Sequence, residues 1–423
     1  MRVTSAHWQR RAIFLLGGVV VGASAMLLAK TADWVQEAFA MFVGHWRYGA
    51  LVVTPLGMAL SVYLTHRYFQ NSQGSGIPQA IAARQLTDQT ERSKLVSMRI
   101  AVGKILLTLL GLLCGASAGR EGPTVQVGAS IMFAAGRWSP RRQPGLVLAG
   151  AAAGVAAAFN TPLAGIVFGI EEMSRSFEVR TSGLIISAVI AAGLTTLGLV
   201  GNYTYFGTTP TMLANGIDWL AIPICGVIGG LAGGLFSRMV IVATRGLPGP
   251  VGKFLKRRPV VFALLCGFGV ALCGLASGDM VYGTGYSQVR TALENGVPLP
   301  QSFGILKLLA TTLTAASGIP GGIFAPSLAV GAGIGSLAAD IFQSAPVPAM
   351  IILGMVAYFA GVVQAPITAF VIVTEMTDNH AMVVPVMCAS VIGYFCSRMI
   401  CREGIYHALA KEFVEGHEVV QRH

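Results

Sequence analysis

Gly122-Pro123-Thr124-Val125-Gln126-Val127-Gly128-Ala129 is matched 203 positions later by Ala325-Pro326-Ser327-Leu328-Ala329-Val330-Gly331-Ala332. Asn160-Thr161-Pro162-Leu163-Ala164, followed by Glu171, is matched by Gln364-Ala365-Pro366-Ile367-Thr368, followed by Glu375, at an offset of 204. Gly74-Ser75-Gly76 and Gly283-Thr284-Gly285 repeat at 209. Membrane sequences rich in Gly, Pro and Ala match one another easily, but three matches kept in order at nearly one offset point to two related halves. Repeated halves are a transporter signature. The substrate site is expected where the halves meet, near the bilayer midplane, with the N-termini of interrupted helices facing an anion. The expected organisation is one membrane domain over 1–423, with repeat one at about 12–200, repeat two at about 218–400 and a short cytoplasmic tail at 401–423.

Composition agrees with a membrane setting. Only 11% of the 423 residues are charged and 54% are hydrophobic, whereas a soluble protein carries about 25% charged residues. A lipid-facing surface cannot carry charge, so the shortfall is the informative number. Apolar stretches long enough to cross a bilayer recur at 12–29, 101–118, 145–170, 219–242, 260–276, 350–374 and 381–395. Those at 124–135 and 323–338 look too short to span and read as re-entrant or broken helices. The fold class is therefore an all-α polytopic membrane protein. The first stretch follows Arg10 and Arg11 and contains Ala23-Ser24-Ala25, as a cleavable signal peptide would. It is long for such a segment and many hydrophobic segments follow, so it reads as the first membrane helix.

The net charge of +11 raises a nucleic-acid reading, but the positions argue against that partner. Basic residues cluster in a few polar connections: Arg84, Arg92, Lys94 and Arg99; Arg137, Arg141 and Arg142; Lys253, Lys256, Arg257 and Arg258. The ends are basic too, while the connections 31–48 and 201–218 are nearly free of Lys and Arg. That is the positive-inside pattern, and it puts both termini in the cytoplasm. None of the seven Cys forms a CxxC and most sit in apolar runs, so packing is expected rather than a metal site or a disulfide framework.

Four motifs bear on chemistry. In Gly74-Ser75-Gly76-Ile77-Pro78, glycines expose backbone N–H groups, Pro78 suits a first helical turn, and Ser75 can cap that helix or offer its hydroxyl to a ligand. A helix N-terminus carries about half a positive elementary charge, enough to hold an anion without a full cation. In Gly119-Arg120-Glu121-Gly122-Pro123 a charged pair lies between apolar segments, and an ionisable residue at membrane depth is by default a functional hypothesis. Glu121 sits where a helix should begin, so its carboxylate is itself an anion at an anion site. It can compete with a bound anion, and once protonated it can leave. The bland alternative is an Arg120–Glu121 ion pair at the membrane surface. Gly318-Ile319-Pro320-Gly321-Gly322-Ile323-Phe324-Ala325-Pro326 has the same logic without the acid, with backbone N–H groups near Gly322, Ile323 and Phe324 forming a nest. In the fourth, Glu171 and Glu172 close the apolar stretch 145–170 before Arg175 and Arg180; one acid could cap or pair, the other could be a proton port.

These motifs, in this order, resemble the CLC family of chloride channels and chloride/proton antiporters over nearly the whole chain. The resemblance implies two inverted-topology repeats of tilted, partly broken helices, in a homodimer whose subunits each have a pathway. It makes Ser75 a direct chloride ligand, with the backbone N–H groups of Ile323 and Phe324 on the same ion. It makes Glu121 the external gating glutamate and Glu172 the internal proton glutamate of the exchangers. Tyr406, in Gly404-Ile405-Tyr406-His407-Ala408-Leu409, matches the tyrosine whose hydroxyl closes the inner end; the alternative is an interfacial Tyr. Lys104 resembles a buried lysine of some bacterial relatives that raises the local positive potential; it could instead snorkel. Ser75 speaks for chloride, with bromide and nitrate as less well discriminated substrates. No cofactor or metal is implied, the transported ions are chloride and protons, and the location is the cell inner membrane.

A passive, voltage- or pH-gated chloride channel shares every anion ligand, and Glu172 is the sequence feature against it. A fluoride/proton exporter is disfavoured by Ser75. An intramembrane serine protease around Gly115-Ala116-Ser117-Ala118-Gly119 would need a base beside Ser117. All seven His lie at termini or in connections, so the chain reads as a transporter and not an enzyme.

Overall fold

The computed structural model describes residues 2–138, 142–174, 179–201, 203–214, 216–246 and 248–421. Arg141 and Arg175, and the side chains of Arg10, Arg11 and Arg180, lie outside the described residues. No strand forms among the described residues. The first half contains α1 (Arg2–His45), α2 (Ala50–Tyr68), α3 (Ile77–Gln85), α4 (Gln89–Ser93), α5 (Met98–Leu113), α6 (Glu121–Ala135), α7 (Gln143–Phe159), α8 (Pro162–Phe168) and α9 (Val179–Val200). The second contains α10 (Ala221–Arg245), α11 (Gly249–Arg257), α12 (Pro259–Ser277), α13 (Tyr286–Asn295), α14 (Phe303–Ala316), α15 (Phe324–Ile341), α16 (Val347–Val363), α17 (Pro366–Thr377), α18 (Val383–Ile400) and α19 (Ile405–Gln421). Eight helical stretches among the described residues are long and apolar enough to cross a bilayer, which makes this an integral membrane protein.

The internal repeat is visible helix by helix. α7 and α16 begin and end 204 positions apart, α2 and α12 differ by 209 at both ends, and α6 and α15 start 203 apart. Local chemistry repeats with them. Asn160 ends α7 in the left-handed conformation (φ 56°) and Gln364 ends α16 the same way (φ 58°). The chain then restarts at Pro162 and Pro366, which suit a first helical turn because no N–H is needed there. Stretches 145–170 and 350–374 are therefore each two helices rather than one span. Within each half two helices cross at backbone contact: a Cβ on Gly150 would lie 2.2 Å from the Gly128 carbonyl oxygen, and one on Gly354 would lie 2.3 Å from that of Gly331. Only glycine permits that approach between α6 and α7, and again between α15 and α16.

Two carboxylates bind the halves together reciprocally. Glu375, on α17, accepts the first free N–H groups of α8, from Leu163 (3.1 Å) and Ala164 (2.7 Å). Glu171, in the π-helical turn after α8, accepts those of α17, from Ile367 (3.1 Å) and Thr368 (2.6 Å). Each acid satisfies orphan donors and sits at the positive end of the other half's helix. Glu171 is thus the capping acid of its pair, and its cap is a helix in the other half rather than a basic residue.

Two segments differ from the sequence-based reading. The connection expected at 31–48 is helical as far as His45, because α1 continues for 44 residues, about 66 Å at 1.5 Å per residue. The stretch near 323–338 extends to Ile341 and reaches spanning length, whereas α6, its counterpart, stays at 15 residues.

Candidate functional site

Three loops meet at the centre. Gly74 N–H donates to the Ile319 carbonyl (3.2 Å), and Gly321 N–H donates to the Gly74 carbonyl (3.0 Å). Gly119 and Gly322 exchange two backbone hydrogen bonds, both 2.7 Å. These bonds hold the loops before α3, α6 and α15 side by side, so three helix N-termini point into one region. The fit leaves no room for side chains: a Cβ on Gly122 would stand 2.9 Å from the Ser75 carbonyl oxygen and 3.0 Å from the Gly322 Cα.

Ser75 is buried, between Gly74 (φ 63°) and Gly76 (φ 94°), two left-handed positions suited to glycine. Its Oγ accepts the Ile77 N–H at 3.2 Å. That leaves the hydroxyl proton to be donated elsewhere. Lys104 is fully buried and does not snorkel. Its Nζ donates to the carbonyls of Ser72 (2.6 Å) and Gly74 (2.7 Å), with Gln73 at 3.4 Å. The ammonium thus gathers the carbonyl ends of this loop.

Glu121 opens α6 and is fully buried. Its Oε1 accepts the Tyr205 hydroxyl at 3.3 Å, while Oε2 makes no hydrogen bond of ordinary geometry. The carboxylate as a whole faces the backbone N–H groups of Glu121 itself and of Ala325, at the starts of α6 and α15. Arg120 turns away: it donates to the Ala29 carbonyl (2.6 Å) and pairs with Asp33, both on α1. The surface ion pair between Arg120 and Glu121 is therefore replaced by an Arg120–Asp33 pair. The second residue of α6 is Gly122 and its third is Pro123, which carries no N–H that the first turn would need.

Ile323 and Phe324 open α15. The Phe324 ring is boxed by Phe159, Phe168 and Phe359, with centroids 5.0 to 6.1 Å away, and by Tyr406 at 5.8 Å. Tyr406, in the first turn of α19, is buried rather than interfacial, and its hydroxyl has no partner among the described residues. Glu121 and Glu172 both lie close enough to Tyr406 for their charges to act on it. Glu172 is buried, and His407 Nε2 stands 3.5 Å from its Oε1 and 2.8 Å from its backbone carbonyl. Glu121, Phe324, Tyr406 and Glu172 thus lie near one another, and the Ser75 loop packs against the start of α6.

The residue model of the voltage gated chloride channel family, Voltage_CLC, matches residues 56–398. The chain belongs to this family. Across the CLC family, a relative named H(+)/Cl(-) exchange transporter ClcA, from Yersinia pseudotuberculosis serotype IB, is 31% identical and covers 93% of this chain and 85% of its own. The solved structure of a slow cyanobacterial Cl-/H+ antiporter superposes with a TM-score of 0.79, at 24% identity over 96% of this chain and 98% of that one. A CLC-type fluoride/proton antiporter superposes at 0.78, with 23% identity over 94% of this chain and 96% of that one. The fold is therefore the CLC fold.

Four polar contacts of these loops and acids escaped the sequence reading. Tyr205 lies in the polar stretch between the halves, where nothing marks one tyrosine above another. Lys307 carried a signal, since it follows Lys104 by 203 positions; it is fully buried and donates to the carbonyls of Val281 (2.9 Å) and Gly283 (2.8 Å). Gln36 fills the second half's equivalent of the Ser75 loop, accepting the Thr284 N–H at 2.9 Å. His407, expected in a connection, is on α19 against Glu172. Ser117, the protease candidate, is buried and hydrogen-bonded to Thr311 (2.9 Å) rather than to a base.

Proposed function

We propose that this protein exchanges chloride for protons across the cell inner membrane. Both termini face the cytoplasm, and two copies form a homodimer in which each has its own pathway. In this reading the whole chain is one membrane unit with halves at about 12–200 and 218–400. The observation that carries it is the position of Glu121: a buried carboxylate lies against the N-termini of α6 and α15, where an external anion would bind. The relatives named as H(+)/Cl(-) exchange transporters support the same reading.

Chloride is held by the Ser75 hydroxyl, the backbone N–H groups of Ile323 and Phe324, and the Tyr406 hydroxyl. Gly119, Gly122 and Gly322 let the loops close to backbone contact, and Pro123 fixes the start of α6. In so dry a site partial charges act more strongly than in water. Lys104 turns the carbonyl oxygens of Ser72 and Gly74 toward itself and so keeps them from facing the anion. Arg120 anchors α6 to α1.

Ionised Glu121 occupies the anion position and blocks it. A proton from outside neutralises the carboxyl, which then leaves, and chloride takes its place. The proton continues to Glu172 through water that enters between them. Exchange follows because the Glu121 carboxylate and chloride alternate in one location. Ser75 favours chloride over fluoride, with bromide and nitrate accepted; the fold does not separate these anions, since both solved antiporters superpose equally well.

The test is Glu121→Ala in proteoliposomes. Proton movement is expected to vanish while anion flux persists. Proton transport still coupled to chloride in that variant would contradict the mechanism.

A further inference from the structure

The segment joining the two halves folds back over Glu121. Phe206 N–H donates to the Met376 carbonyl (2.8 Å) and Thr209 N–H to that of Thr377 (3.1 Å), which ties the segment to the end of α17. Asn379 Nδ2 donates to the carbonyls of Thr209 (2.8 Å) and Thr211 (2.9 Å), and Asn160 Nδ2 to that of Tyr203 (2.7 Å). A connecting loop on a surface seldom makes this many specific bonds. Their effect is to fix the backbone on both sides of Tyr205.

The Tyr205 ring is fixed as well. Phe159, Phe206 and Tyr286 meet it edge-on, with centroids 5.5, 5.0 and 4.8 Å away. Tyr286 is itself held by Arg290, whose Nη1 donates to the Tyr286 hydroxyl at 2.7 Å. Tyr205 is 2% exposed and its hydroxyl donates to Glu121 Oε1. A donor caged in this way cannot follow a moving carboxylate. It favours one position of Glu121 over all others.

We propose that Tyr205 is a positioning residue that latches Glu121 in the blocking position, so that the joining segment sets how strongly the carboxylate competes with chloride. The proposal rests on the reading of Glu121 as the outer gate. It assigns the segment between the halves a part in transport beyond connecting them. A latched carboxylate lowers apparent chloride affinity and slows turnover, because the bond must break each cycle.

The test is a double-mutant cycle on the purified full chain, with chloride binding measured by titration calorimetry and coupled flux in liposomes. Tyr205→Phe keeps the ring and removes only the donor. It is expected to raise apparent chloride affinity roughly three- to tenfold, the range for losing one long hydrogen bond. In the Glu121→Ala background the same substitution is expected to change chloride affinity less than about twofold. Tyr205→Leu, which also removes the ring, should show the same gain if the hydroxyl is what matters, whatever its cost in thermal stability. Wild-type affinity in Tyr205→Phe, or an equal gain in the Glu121→Ala background, would overturn the latch while leaving the gate. Proton coupling that survives Glu121→Ala would overturn the gate and the latch together.

Discussion

Substituting Gly122 by Ala tests whether the convergence of the loops makes the anion site. The added Cβ would stand 2.9 Å from the Ser75 carbonyl oxygen, 3.0 Å from the Gly322 Cα and 3.2 Å from the Ser75 Cβ. All three are backbone or backbone-proximal atoms, so no flexible side chain can swing away. Ordinary contact requires the loops to part by about 0.5 Å, yet the paired bonds between Gly119 and Gly322 resist that. Overpacking of this kind costs about 1–3 kcal/mol. If the strain is relieved by spreading the helix N-termini, the same free energy is lost from anion binding, roughly a 5- to 150-fold weakening. Chloride titration calorimetry on purified Gly122→Ala reads this directly, with a circular-dichroism melt to show that the helices remain. Gly44→Ala is the control, because a Cβ there meets nothing within 4 Å. Wild-type chloride affinity in a folded Gly122→Ala protein would mean that the convergence of the loops does not make the anion site.

Three other outcomes are expected. Glu171→Ala and Glu375→Ala each strand two N–H groups at a helix start, and each should cost about 1–3 kcal/mol of stability, seen as similar drops in melting temperature; a drop in only one would mean the caps are not equivalent. Lys104→Met should weaken chloride binding several-fold, whereas Lys307→Met should lower stability with chloride affinity kept, because Gln36 already occupies the loop that Lys307 organises. Equal losses of chloride affinity in the two variants would contradict that asymmetry. Glu172→Ala should stop proton movement with anion flux retained, and intact coupling there would mean that another acid faces the cytoplasm.

Short motifs were legible because they encode local backbone chemistry. Pro78 sits in the first turn of α3 and Glu121 opens α6, each where its motif puts it. The offsets near 204 predicted the equivalence of α7 and α16 for the same reason. Contacts between distant segments were not legible. Which of Glu171 and Glu172 caps depends on α17 lying beside α8, 196 or more positions away in sequence. The break at Gln364 hides in an apolar stretch, because a left-handed Gln has no signature as strong as that of Gly. Hydropathy also misplaced the end of α1, whose residues 30–45 are polar enough to pass for a connection yet remain helical. Tyr205 depends on the path of the whole joining segment, which only the folded chain reveals.

Chloride/proton exchange is tested most directly by following internal pH and chloride together in liposomes holding the purified protein under a chloride gradient, with no pH gradient imposed. Chloride running down its gradient is expected to drive protons uphill in the opposite direction. Chloride flux with no proton movement would contradict it.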